Sequence, residues 1–276
     1  MRTINKNFKY ILLLIAAVSI SSCEEVVDVD LNTAAPKLVI DASIDWVKGT
    51  DGSHQKVKLT TTTGFYETEI PVVSNAQVRI SNSSNTIFEF IESPGTGEYL
   101  CDNFVPQIGE TYKLTVISGG QTYEATEKLF AAPDVESVAQ NNEGGVSGKD
   151  IELKYFFSDN GAENNFYLTA FETNITVFPD YDAFDDEFFQ GNQTYGFYLN
   201  EDLKAGDETT FSIYGVSQRY MNYMAILTEI TEGGGGPWSS PPTNVRGNII
   251  NYTDSKNFAL GYFRVSEVSK MDYTVQ

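Results

Sequence analysis

Histidine, cysteine and basic residues are scarce in this chain, and each scarcity removes a class of chemistry. One histidine, His54, occurs in 276 residues. A Ser–His–acid relay would depend on it alone. It lies in the turn-like stretch GTDGSHQ (residues 49–55), and no G-x-S-x-G elbow occurs anywhere. His54 therefore reads as a solvated turn residue. Two cysteines, Cys23 and Cys101, cannot build a disulfide framework, and no cluster of histidine and cysteine has zinc-ligand spacing. Lysine and arginine number 18 against 38 acidic residues, a formal charge of −20. Such a surface repels phosphate backbones and anionic headgroups, which argues against nucleic acid and against a basic membrane patch. The run of four glycines at 233–236 is followed by Pro237 and Trp238. A phosphate loop needs Lys-Ser or Lys-Thr there. No apolar run approaches the roughly 20 residues of a spanning helix.

The order of residues around Cys23 is informative. Arg2, Lys6 and Lys9 precede the apolar run ILLLIAAV (residues 11–18), then Ser19, Ile20, Ser21 and Ser22. Charge, then apolar residues, then small residues is the layout of a secretory leader. The cysteine stands where cleavage should fall, and EEVVDVD follows at once. This resembles a bacterial lipoprotein signal covering residues 1–22, with acylation (palmitate or a similar chain) at Cys23 and an acidic tether over 23–36. The acidic run resembles the surface-export signal of Bacteroidota-type lipoproteins. Cleavage leaves 15 basic against 38 acidic residues, a charge of −23. More than one acyl chain gives lasting attachment, since each buried methylene adds about 0.8 kcal/mol. Cys101, left without a partner, reads as a small buried hydrophobe.

From Lys37 the chain becomes a series of short alternating runs separated by turns. KLVIDASI (37–44), KVKLT (56–60), AQVRI (76–80) and IFEFI (87–91) all alternate. YKLTV (112–116) and QTYEA (121–125) flank Ser118-Gly119-Gly120, and paired glycines suit a tight hairpin. Strands this short, at this spacing, predict an immunoglobulin-like β-sandwich over 37–130. Proline, asparagine and glycine predict a linker over 131–148. A second β-rich domain follows over 149–276, with strands at 151–157, 165–172, 194–199, 209–216, 245–252 and 258–268. One helix is predicted near 217–231. Ser217 is its N-cap, Tyr220, Met224, Leu227 and Ile230 share one face, and Gly233 ends it. The fold class is all-β.

Carboxylates are the abundant chemical resource. Asp180, Asp182 and Asp185, with Asp186 and Glu187, crowd one segment. Oxygen ligands suit calcium, but the spacing departs from the EF-hand loop, so a solvated acidic loop is the competing reading. Two such acids could also serve glycoside hydrolysis, although any acidic chain offers such pairs. Trp238, Tyr181 and Phe188, with Trp46 and Phe189, fall in or near predicted loops. Exposed rings can stack on a sugar or anchor an interface, and buried ones plug the ends of sandwiches.

The stretches GGPWSSPPTNVRGNI and ALGYFRVSEVS, with FDDEFFQG (184–191), KLVIDASI and the YKLTV–GG–YEA hairpin, resemble a family of uncharacterised Bacteroidota surface lipoproteins. The resemblance covers nearly the whole mature chain. It implies a place beside TonB-dependent outer-membrane receptors and supplies no catalytic residues. The expectation is a non-enzymatic, cofactor-free accessory protein, lipid-anchored at the outer membrane and exposed on the cell surface. It would bind a β-barrel receptor of that type and assist nutrient uptake or outer-membrane assembly. The alternative is a stand-alone surface protein that binds glycans or peptides.

Overall fold

The computed structural model describes residues 35–64, 66–231 and 245–276. Cys23, the leader, most of the tether, Gly233 and Trp238 lie outside the described residues. Residues 36–276 form one compact unit.

The first half is a sandwich built from β1 (Leu38–Val47), β2 (Gln55–Thr61), β3 (Gln77–Asn82), β4 (Ile87–Ser93), β5 (Glu98–Cys101), β6 (Thr111–Ser118) and β7 (Gln121–Lys128). Alternation sets its faces. In β2, Val57 and Leu59 point inward while Lys56 and Lys58 stay in water. The β6–β7 hairpin closes with Ser118 opposite Gln121, and Gly119 and Gly120 have φ of 57° and 74°. β4 folds the sheet over: Ile87–Phe90 pairs with β3, and Ile91–Ser93 pairs with β5. A strand that changes sheets makes such a corner. Inside lie Ile40, Ile44, Leu59, Tyr99, Tyr112 and Leu114, all fully buried. Each buried side chain of this size contributes roughly 1.5–3 kcal/mol. Tyr112 keeps its hydroxyl satisfied, donating to Val105 O at 2.8 Å and accepting from Gln107 N at 3.0 Å.

The second half comprises β8 (Val135–Gly144), β9 (Asp150–Ser158), β10 (Phe166–Thr173), β11 (Asp180–Asp185), β12 (Gln193–Leu199), β13 (Glu208–Gly215), helix α1 (Gln218–Thr231), β14 (Ile250–Asn251) and β15 (Leu260–Thr274). A three-stranded sheet, β12-β9-β8, packs on the β11-β10-β13-β15 part of a twelve-stranded sheet. Leu153, Tyr155, Phe157, Tyr167, Phe171 and Phe211 fill the space between them. On the other face of the large sheet, Tyr220, Met221 and Met224 of α1 pack with Leu168, Tyr214, Tyr262 and Val268. Ser217 caps the helix, its Oγ accepting from Tyr220 N at 3.2 Å. The mainly-β fold and sandwich packing agree with the sequence reading.

Three elements differ from it. The stretch expected as a linker carries β8, paired with β9 through two register shifts. Asn141, Asn142 and Gly144 sit at the second of these irregularities, which tolerates them. The acidic segment expected as a loop is strand β11, held by β10 from Phe166↔Asp185 to Phe171↔Asp180. The strand expected over 245–252 is only two residues, Ile250–Asn251. β15 also joins the two halves. Leu260–Val268 runs parallel to β1, and Val268–Thr274 runs antiparallel to β13.

Candidate functional site

The two sheets of the second half end unevenly at one side. Phe171 stacks on Tyr198 with centroids 5.2 Å apart, and Tyr155 stacks on Phe211 at 5.1 Å. Thus β12 lies over β10 at Tyr198 and reaches β13 at Gly196, and β9 lies across β13 and β10. At the far side β8 meets β15, where Val135 N donates to Ser269 Oγ at 3.0 Å. Among the described residues β11 has no strand opposite it. A cleft of about 390 Å³ opens there. Thr169, Phe171, Asp180, Asp182 and Phe184 form one wall, and Tyr195, Gly196 and Phe197 of β12 form the other, with Tyr181 also on the lining. Gly196 is needed for close approach. A Cβ there would stand 2.5 Å from the Phe211 ring and 3.2 Å from that of Phe171.

The cleft combines aromatic rings with unpaired carboxylates. Neither the Asp180 nor the Asp182 carboxylate has a hydrogen-bond or ion-pair partner among the described residues. Burial pushes the Asp180 carboxyl above the usual carboxylate range, and the Asp182 charge adds to the effect. Tyr195 and Phe197 remain 45% and 48% exposed. Tyr195 meets Phe156 edge-on at 5.5 Å, and Lys154 Nζ stands 5.0 Å from its ring centre.

The predicted site residues are only partly gathered. Asp180, Asp182 and Tyr181 line the cleft. Asp185 does not join the other two acids. A strand turns alternate residues to opposite faces, which puts Asp185 with Tyr181 and Ala183, away from Asp180 and Asp182. Its Oδ1 accepts from Glu187 N at 3.3 Å. No group of three or more histidine, cysteine or acidic residues among the described residues is arranged to hold a metal ion. Phe188 is 93% exposed beyond the far end of β11, outside the cleft. Its neighbour Phe189 packs inward against Phe157 and Phe184. Trp46 is half-buried, its indole donating to Thr50 O at 3.0 Å. Sequence reasoning missed Tyr195 and Phe197. The stretch TYGFYL has rings on both faces, so alternation gives no signal for which face is wet.

The sparse catalytic candidates are far from this cleft in the chain and differ in setting. His54 Nδ1 lies 2.9 Å from Asp102 Oδ1 with both side chains exposed. The Asp102 carboxylate raises the imidazole above its ordinary range. Ser53 Oγ is bonded to Asp51, not to His54. Cys101 is free and buried, and burial pushes its thiol up. A raised thiol is a poor nucleophile.

One charge is buried on the far side of the large sheet. Arg264 of β15 is 5% exposed, and its Nη1 lies 2.6 Å from Asp45 Oδ1. The guanidinium sits 4.8 Å from the centre of the Tyr214 ring and 5.3 Å from that of Tyr220. Burial opposes its charge, but Asp45 and these tyrosines hold it above its ordinary range.

With this geometry in view, a family model described as a domain of unknown function (DUF4249) matches residues 24–272. The chain belongs to this family. No curated protein matches the chain. Among solved structures, a two-domain fibronectin type-III segment from chicken tenascin is similar over 65% of this chain and 90% of its own, at 10% identity and a TM-score of 0.21. A DUF4785 family protein from Legionella pneumophila is similar over 64% of this chain and 52% of its own, at 8% identity and a TM-score of 0.26. The fold assignment rests on the DUF4249 chain's own strands and cores. Among its described residues no helix is long and apolar enough to cross a membrane.

Proposed function

We propose that this DUF4249 protein is a lipid-anchored accessory protein of the bacterial outer membrane that works by contact. Its partner is a β-barrel receptor of the TonB-dependent type, and its task is to assist nutrient uptake or outer-membrane assembly. The single observation that carries the binding part is the β11–β12 cleft, where aromatic rings and two unpaired carboxylates stand open to a partner. The address rests on the order of residues around Cys23. An exposed histidine whose neighbour Ser53 bonds to Asp51 instead of to it, and a buried thiol, give contact more support than turnover.

Affinity purification of the native lipoprotein from membranes in mild detergent tests the partner. A stoichiometric outer-membrane barrel is the expected companion, and its absence would refute the assignment. Mass spectrometry of the same material should find a chain beginning at acylated Cys23. An intact leader without fatty acid would refute the anchor. A second reading draws on the same cleft: rings and carboxylates together also suit a glycan. Broad glycan-array binding, lost on Asp182→Ala, would favour it.

A further inference from the structure

Four strand edges bound the two sheets, and three of them carry a device that blocks pairing. β14 is two residues long. β8 has two register shifts along β9. β11 carries Asp180, Asp182 and Asp185 within six residues. Short length, bulges and charge are the means by which exposed edges avoid pairing with other chains. β12 has none of them. Its seven residues, QTYGFYL, contain no charge and no proline, and they pair with β9 in unbroken register. Its other edge has no neighbouring strand among the described residues.

We propose that this free edge receives an extended peptide strand of a partner protein, with cationic side chains facing inward. The proposal rests on the reading of the β11–β12 cleft as the contact site, and it stands apart from the lipid anchor and the identity of the barrel. The cleft beside the free edge of β12 is walled by Thr169 and Phe171 of β10 and by Asp180, Asp182 and Phe184 of β11, so a strand added to that edge lies across these residues, at the spacing of about 10 Å between packed sheets. Main-chain hydrogen bonds to β12 supply register, and alternate side chains supply specificity. The inward side chains meet Asp180, Asp182 and Phe184. Covering two unpaired carboxylates is costly unless opposite charge comes with the cover. Lysine or arginine at alternate positions provides it. The outward side chains continue the exposed row of Tyr195, Phe197 and Leu199. A second copy of this chain fits less well, because another β12 would bring only uncharged side chains over the two acids.

The test uses the full chain and the acetylated heptapeptide Thr-Lys-Tyr-Lys-Val-Lys-Thr-amide, titrated to about 1 mM. Two control peptides replace lysine with glutamate or methylate alternate backbone nitrogens. The lysine peptide should bind and slow hydrogen exchange of β12 amides. The glutamate peptide should bind at least about tenfold more weakly, and the N-methylated peptide should not bind. Asp180→Asn combined with Asp182→Asn should weaken the lysine peptide about 2- to 30-fold. Both side chains lie in an open cleft, and circular dichroism checks that the variant folds. Equal affinity for lysine and glutamate peptides, retained binding after N-methylation, or no protection of β12 would overturn the proposal. So would a dimer, seen by sedimentation without peptide and lost in Phe197→Lys, which assigns the edge to a second copy. If the barrel fails to co-purify while the peptide binds as stated, the partner's identity falls and the strand site stands. If the barrel co-purifies and protects β12 while the peptides do not discriminate, the cationic strand falls alone.

Discussion

Replacing Asp45 with asparagine should unfold this protein at markedly lower temperature, although the change is nearly isosteric. Arg264 is 5% exposed, and Asp45 Oδ1, 2.6 Å from Nη1, is its one anionic contact among the described ion pairs. Neither Arg264 Nε nor Nη1 makes a well-directed hydrogen bond among the described residues, so Asp45 acts on the guanidinium through charge and proximity. The charge is therefore held by one carboxylate and the faces of Tyr214 and Tyr220. Removing one partner of a buried pair costs about 3–5 kcal/mol, because the other charge is left uncompensated. The Asp45 side chain is 35% exposed, so water offsets part of the loss and about 3 kcal/mol applies. For a unit of this size each kcal/mol moves Tm by about 2–4 °C, giving about 6–12 °C. Removing both charges, with Asp45→Leu and Arg264→Met, gives up the ring contacts as well, worth about 0.5–2 kcal/mol each. It also ends the desolvation penalty, so the double variant should lie near the parent. Urea denaturation of the parent, Asp45→Leu, Arg264→Met and the double variant, at constant m, measures the coupling, with Asp45→Asn measured beside them. A cost below about 1 kcal/mol for Asp45→Asn would refute the reasoning, as would a double variant as unstable as the two single costs added together.

Other outcomes follow from particular contacts. Gly261→Ala should destabilise by about 3–5 kcal/mol in the same assay, since φ is +92° and a Cβ would lie 2.0 Å from Ile40 O. A change below about 1 kcal/mol would show that β1 and β15 part without penalty. By NMR, His54 should titrate above the ordinary imidazole value, and Asp102→Asn should lower it toward that value. The raised folded value means that the pair's contribution is complete below the unfolded pKa and disappears as pH rises through the folded one. Glu127 is buried and receives the Tyr262 hydroxyl at 3.3 Å, and burial raises its carboxyl above the usual range. The unfolded chain ionises first, so stability should fall as pH rises from the ordinary carboxylate value through the raised one. Glu127→Gln should flatten that part of the pH profile, and an unchanged slope would sink the assignment.

Much of the strand framework is legible because burial on one face imposes a period of two. KVKLT and AQVRI can satisfy that period only as strands, and the Gly119–Gly120 hairpin needs no tertiary information. The elements that escaped obey other constraints. β8 and β11 are edge strands with much solvent contact, so little apolar pattern marks them. Their pairing is dictated by β9 and β10, which lie outside what a local window sees. The same blindness split the acidic cluster. Asp180, Asp182 and Asp185 look like one ligand set in a loop, but strand geometry sends the third to the other face. Tyr195 and Phe197 went unnoticed because TYGFYL carries rings on both faces, and only the pairing of β12 with β9 decides that Tyr198 turns to the core while Tyr195 and Phe197 turn to water.

The described part of the C-terminal stretches that carry the family resemblance, residues 245–249 and 259–269, serves assembly of the fold. Asn248 donates to Phe263 O at 2.7 Å and accepts from Phe263 N at 2.9 Å, clamping the VRGN segment (residues 245–248) to β15. A Cβ on Gly247 would fall 1.8 Å from Gly261 O, and one on Gly261 would strike β1. Arg264, farther along the same strand, turns to the helix layer and pairs with Asp45 of β1. These contacts fasten β15 to β1 and to the segment that precedes it, and none reaches the β11–β12 cleft. A signature of this kind identifies chains that fold this way and is silent about what they hold. On the proposed reading the choice of partner belongs to β11 and β12, where substitution of Asp180, Asp182, Tyr195 or Phe197 changes an exposed wall and leaves the β1–β15 joint untouched.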